Sequence, residues 1–119
     1  MGNLFKELER EGCPVDEIRE RFLDDEDFYH SCLKKIIMDK SFERLGEALC
    51  EQNAKVAFVY AHTLKGVISN MGLSRMYGTI CEIVEPLRNG ETSGLLPYYG
   101  ELLLELEEIK YLCEITDDK

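Results

Sequence analysis

From Ala54 to Met71 the chain places apolar residues three and four positions apart, with no proline and a single glycine. An α-helix turns about 100° per residue. On such a helix Ala57, Ala61, Leu64, Ile68 and Met71 share one side, flanked by Tyr60 and Val67. The stripe is wide enough to face a core. Asn53 can cap the first turn, and Gly72 can take the left-handed conformation that closes the last. This helix constrains the fold most, because it must bury its stripe against other elements.

The rest of the sequence supplies those elements as further helices. Three prolines in 119 residues and recurrent three-to-four spacing predict an all-α protein, with no convincing strand alternation. A short helix is predicted over Leu4 to Arg10, ending at Gly12, and another from Pro14 to about Phe22. Asp24 and Asp25 offer a cap for a helix with Phe28, Cys32, Leu33, Ile36 and Ile37 on its stripe. Ser41 can cap a helix carrying Phe42, Leu45, Leu49 and Cys50, although Arg44 stands where a full capping box wants Glu or Gln. Ser74 can cap a helix through Tyr77, Ile80, Cys81, Val84 and Leu87 to Asn89-Gly90, with a kink or frayed turn at Pro86. After a loop over Glu91 to Leu96, Pro97 begins a last helix with Leu103, Leu106, Ile109, Leu112 and Cys113. The expected architecture is an antiparallel four-helix bundle with one or two short extra N-terminal helices. It forms a single domain over residues 1–119, with the short helical segment at 3–22 and the bundle at about 24–116.

Composition removes several classes of function. The 24 Asp and Glu residues outnumber 14 Lys and Arg, for a net charge of −10. Such a surface repels nucleic-acid phosphates and anionic membranes, so neither is an expected partner. No stretch approaches the roughly 20 apolar residues of a membrane span, and the N-terminus lacks the apolar core of a signal peptide. The expected location is the cytosol. Cys13, Cys32, Cys50, Cys81 and Cys113 are widely spaced and form no C-x-x-C pair, so they read as buried reduced thiols acting as small hydrophobes rather than metal ligands or disulfides.

The side of the central helix away from its stripe carries Lys55, Phe58, Val59, His62, Lys65, Gly66, Ser69 and Asn70. Gly66 costs about 1 kcal/mol relative to Ala in a helix interior. It follows His62 by one turn on the same face, and its missing side chain leaves room for another molecule to approach. Close packing of a neighbouring helix is the other reason for a glycine there. Lys65 lies within reach of His62, and a flexible ammonium can neutralise part of a phosphoryl group's charge. A neutral imidazole nitrogen can attack phosphorus. Phe58 and Val59 would form an apolar collar around that nucleophile, as a docking surface does. Alternatively, the first helices fold over Phe58.

The stretch AHTLKGVISNMGLSRMYGTICEIVE, Ala61 to Glu85, resembles the signature of the histidine-containing phosphotransfer (HPt) domain family. Ala61, His62, Leu64, Lys65, Gly66, Gly72, Cys81 and Val84-Glu85 occur in the family's order. Upstream, VDEIRERFLDDEDFYHSCLKKI is similar to the family's first region, and the match extends over about residues 14 to 90. Val67 and Ile68 depart from it, being branched and apolar where the family often has small or hydroxyl residues. The resemblance implies a monomeric four-helix bundle relaying phosphate in a two-component phosphorelay. Its partners would be the receiver domain of a response regulator or a hybrid histidine kinase. His62 would be the phosphoacceptor, Lys65 would steady the phosphoryl group, and Gly66 would give steric access. Lys55, Phe58, Val59, Ser69 and Asn70 would meet the partner.

The face around His62 has no acidic cluster for magnesium, so no cofactor or metal is expected on this chain, and the partner would bring the metal. There is no glycine-rich nucleotide loop of P-loop or kinase type. The expectation is a phosphocarrier without kinase activity of its own. A bundle metal site would need inward Glu-x-x-His pairs. The nearest match is Asp27-x-x-His30, and Val59 stands at the matching position before His62. A receiver-binding module that carries no phosphate is the other reading.

Overall fold

The computed structural model describes residues 3–117, so the two outermost residues at each end of the 1–119 domain lie outside it. The described residues form helices joined by short links, without strands. They are α1 (Leu4–Arg10), α2 (Val15–Arg21), α3 (Glu26–Ile37), α4 (Ser41–Cys50), α5 (Ala54–Met71), α6 (Ser74–Arg88) and α7 (Leu96–Ile115). Helix α5 packs between α4 and α6, α6 packs on α7, and α7 returns to α4. Helix α3 lies along α7, and α1 touches α2, α3 and α7.

The buried residues of α5 are Ala57, Ala61, Leu64, Ile68 and Met71, the stripe its periodicity predicts. Burying a leucine or isoleucine of this kind contributes about 1.5–3 kcal/mol. The Asn53 side chain accepts from the Val56 N–H at 3.2 Å, and Gly72 closes the helix at φ +73°. Ile18 of α2 is seated on Gly72, where an added Cβ would lie 2.6 Å from Ile18 Cγ1. Tyr29 of α3 is fully buried, and its hydroxyl donates to the Met71 carbonyl at 2.7 Å. Phe5 and Phe22 flank its ring with centroids at 5.4 and 4.9 Å. The end of α5 is therefore held by both α2 and α3.

Several local expectations are corrected. Phe28 is exposed and Tyr29 is buried in its place, because packing against α1 and α7 turns the start of α3 by one residue, while Leu33 is fully buried on the predicted stripe. Asp25 alone caps α3, accepting from the Phe28 N–H at 3.0 Å, while Asp24 adopts φ +58° in the preceding turn. Ser41 and Ser74 are first helical residues, preceded by Lys40 and Leu73 at the cap positions. Asp39 supplies the polar group at α4, accepting from the Ser41 N–H at 2.8 Å. Cys50 is exposed, as the last residue of α4 past its core face. On α6, Met76, Thr79, Ile80, Ile83, Val84 and Leu87 are buried, whereas Tyr77 is exposed and Cys81 half-buried. Pro86 lies two residues before the end of the helical run, where its missing N–H costs one bond, and the helix continues to Arg88. Helix α7 starts at Leu96, one residue before Pro97, with Leu102 fully buried and Leu103 and Leu106 half-buried.

Between α6 and α7 lies a buried carboxyl group. Glu105 is 5% exposed and accepts from the Thr79 hydroxyl at 2.9 Å. Its Oε1 has no hydrogen-bond partner among the described residues. Burial pushes the carboxyl above its ordinary value, with Thr79 opposing. Nearby, Arg75 bridges Glu11 at 3.2 Å and Glu108 at 2.9 Å, joining the end of α1 to α6 and α7. No helix among the described residues is long and apolar enough to cross a membrane.

Candidate functional site

Helix α5 carries the predicted site on the side away from its buried stripe. His62, Lys55, Val59, Gly66, Ser69 and Asn70 are exposed, and Phe58 and Lys65 are half-buried. All eight therefore share one accessible helix face. The helix contains no carboxylate at all, in a chain with 24 Asp and Glu residues. Its charged side chains are Lys55 and Lys65, both cationic in a chain of net charge −10.

Among the described residues, nothing approaches Gly66. A Cβ built there has no heavy atom within 4 Å outside its own helix surroundings. Close packing of a neighbouring helix therefore does not account for this glycine. Gly46 shows the contrast: a Cβ there would lie 2.5 Å from Tyr99 Cζ, and the Tyr99 hydroxyl donates to the Phe42 carbonyl at 2.8 Å. One glycine seats a helix, whereas the other leaves a clearing beside an imidazole.

The His62 ring is 5.4 Å from the Phe58 ring, tilted by 31°. Over Phe58 lies the Arg88 guanidinium of α6, 5.3 Å from the ring centre. Such a cation over an aromatic face contributes about 0.5–1 kcal/mol at an exposed position. Glu85 pairs loosely with Arg88 at 3.4 Å. Phe58 is thus half-buried against the core with Arg88 over its ring, while α2 meets α5 at the opposite end, around Asn70 and Gly72. Val59 is 58% exposed and completes the apolar rim. Lys65, three residues after His62 on the helix, forms no ion pair among the described residues.

At the other end of the face, Arg21 of α2 donates to the Asn70 carbonyl at 2.6 Å. A shallow hollow lies there, lined by Arg21, Ser69, Gly72 and Tyr77 among others. Sequence reasoning missed both Arg21 and Arg88. A hairpin signal was available for Arg88: with the turn at Gly72, α6 runs back along α5 and brings position 88 level with Phe58. The same register brings Cys81 level with Lys65. No comparable signal existed for Arg21, which reaches Asn70 across a tertiary contact.

The other histidine lies elsewhere. His30 is half-buried on α3, and its Nε2 donates to the Cys113 carbonyl at 3.2 Å. Among the described residues, no group of three or more His, Cys, Asp or Glu side chains is placed to hold a metal ion. The described cysteines are all free thiols, but Cys113 alone is buried as expected, while Cys13, Cys32 and Cys81 are half-buried and Cys50 is exposed at a helix end; burial raises Cys113 to about 11 and Cys13 in the same direction.

Among the described residues the site thus comprises one exposed imidazole, one unpaired ammonium, an unobstructed glycine and an aromatic support braced from a second helix. Comparisons with protein-family models, with curated proteins and with solved structures found no match.

Proposed function

We propose that this chain is a phosphorelay intermediate of the histidine-containing phosphotransfer type, exchanging a phosphoryl group between His62 and the aspartate of a receiver domain. In this reading the bundle region of about residues 24–116 has α4 to α7 as an antiparallel four-helix core with α3 along α7, and the short α1 and α2 are the extra N-terminal helices. The packing order of α4, α5, α6 and α7 supports that architecture. One observation carries the functional reading: His62 is exposed beside a glycine with nothing near it, on a carboxylate-free helix face.

The proposed step conserves atoms and charge. A neutral imidazole nitrogen of His62 attacks phosphorus in line, forming an N–P bond as the aspartyl O–P bond breaks. The aspartate leaves as a carboxylate, and the proton on the other ring nitrogen of the resulting phosphoimidazolium passes to solvent. Such transfer rests mostly on positioning and charge stabilisation. Lys65 meets the phosphoryl charge, Gly66 admits the phosphoryl group and its carrier, and Phe58 supports the ring. The metal and the remaining catalytic groups belong to the receiver. The reverse step returns the group to another receiver, and the chain works as a carrier, most simply as a monomer in the cytosol.

The test is incubation with a phosphorylated receiver and Mg²⁺, reading phosphate that is acid-labile and alkali-stable. Wild type takes up label and His62→Gln takes up none. Labelling of the variant to the wild-type level overturns the reading. A receiver that binds without transfer to wild type favours the interaction-module alternative.

A further inference from the structure

Helix α7 has two apolar sides. Leu102, Ile109, Leu112 and Cys113 are buried on one of them. On the other, Leu104, Tyr111 and Ile115 are 68%, 60% and 51% exposed. They are seven and four residues apart, so they line up along the helix within about 40° of one another. Single exposed apolar residues are ordinary, but an aligned row on an amphipathic element is a docking feature. The row is bordered by carboxylates: Glu101 and Glu108 on one side, Glu107 and Glu114 on the other. Glu108 is shared with Arg75, and Lys110 lies further round, toward Lys34 and Met38 of the α3 end.

These charges select the occupant. A second copy joined through the same row would bring acidic borders together in a low-dielectric contact. An anionic membrane would be repelled for the same reason. A helix with an apolar stripe between lysines or arginines meets both the row and its borders. We propose that the outer face of α7 docks a basic amphipathic helix of another protein. Helices α5 and α7 lie across from each other in the packing order, so this face points away from His62. Docking there leaves the His62 face free and does not depend on its chemistry.

The probe is a synthetic amphipathic peptide of leucine and lysine, titrated into the full chain and followed by calorimetry and by amide shifts in NMR. Saturable binding is expected, weakening as salt rises, with shifts centred on Leu104, Tyr111 and Ile115. The double variant Leu104→Ser/Tyr111→Ser keeps every charge and should bind about tenfold more weakly or worse. Glu107→Gln/Glu114→Gln should also bind more weakly and show less salt dependence. His62→Gln should bind as wild type does, which separates this surface from the relay reading. Absent binding, shifts centred elsewhere, or unchanged affinity in the serine double variant overturns the proposal. So does a wild-type dimer in sedimentation that the serine variant abolishes, or wild-type adsorption to phosphatidylserine vesicles through this row.

Discussion

Gly66 separates two properties that are usually coupled. Its surroundings are empty, so a methyl group meets nothing and restricts the unfolded chain. Gly66→Ala should therefore raise stability by about 0.5–1 kcal/mol in denaturant melts. Gly66→Leu should fold as well, yet slow phosphoryl uptake from a receiver by about tenfold or more, because its side chain fills the clearing beside His62. Equal transfer rates for Gly66→Leu and wild type would remove the steric role. Glu105 gives a second prediction at this scale. Its folded-state carboxyl is raised, so the native state holds its proton more tightly than the unfolded chain does. Stability from this group is full below the unfolded value, about 4.3, and is lost as pH rises through the folded value. Glu105→Gln stays neutral, so its melting temperature relative to wild type should improve steadily from acidic to neutral pH. A constant difference between the two proteins across that range would disprove the linkage.

The central element is held at its end by another helix. The Met71 carbonyl at the end of α5 accepts the Tyr29 hydroxyl, a bond that joins α3 to α5. Tyr29→Phe keeps the ring packing and leaves that carbonyl without this donor. A loss of about 1–2 kcal/mol in chemical denaturation is expected, and the same substitution at exposed Tyr111 should cost almost nothing. Much at this scale was legible from sequence. The α5 stripe, its Asn53 cap, its Gly72 terminus and the outward His62 follow from period and local chemistry. The misreadings share a cause. Phe28 against Tyr29 differs by one position, and only packing against α1 and α7 decides which faces inward. Ser41 and Ser74 have the right chemistry for caps, but the chain enters those helices one residue earlier. Arg21 reaches the site from a separate helix, and nothing in its local sequence announces that reach.

Across the whole molecule, charge is segregated. The carboxylates behind the net charge of −10 all lie outside α5, whose only charged side chains are Lys55 and Lys65. A receiver with an acidic reaction centre would be steered toward it. Lys55→Glu/Lys65→Glu should lower the association rate about tenfold at low salt, with a smaller change in dissociation. Stopped-flow binding at two ionic strengths checks this, and a rate insensitive to both substitutions removes the steering. The single clearing beside one imidazole also sets the order of events in the proposed relay. Donor and acceptor must use it in turn, so the carrier runs as a queue in which each visitor departs before the next arrives. Reciprocal plots of rate should give parallel lines as the second receiver is varied, the signature of ping-pong exchange. Surplus unphosphorylated donor should then throttle the output simply by standing in line.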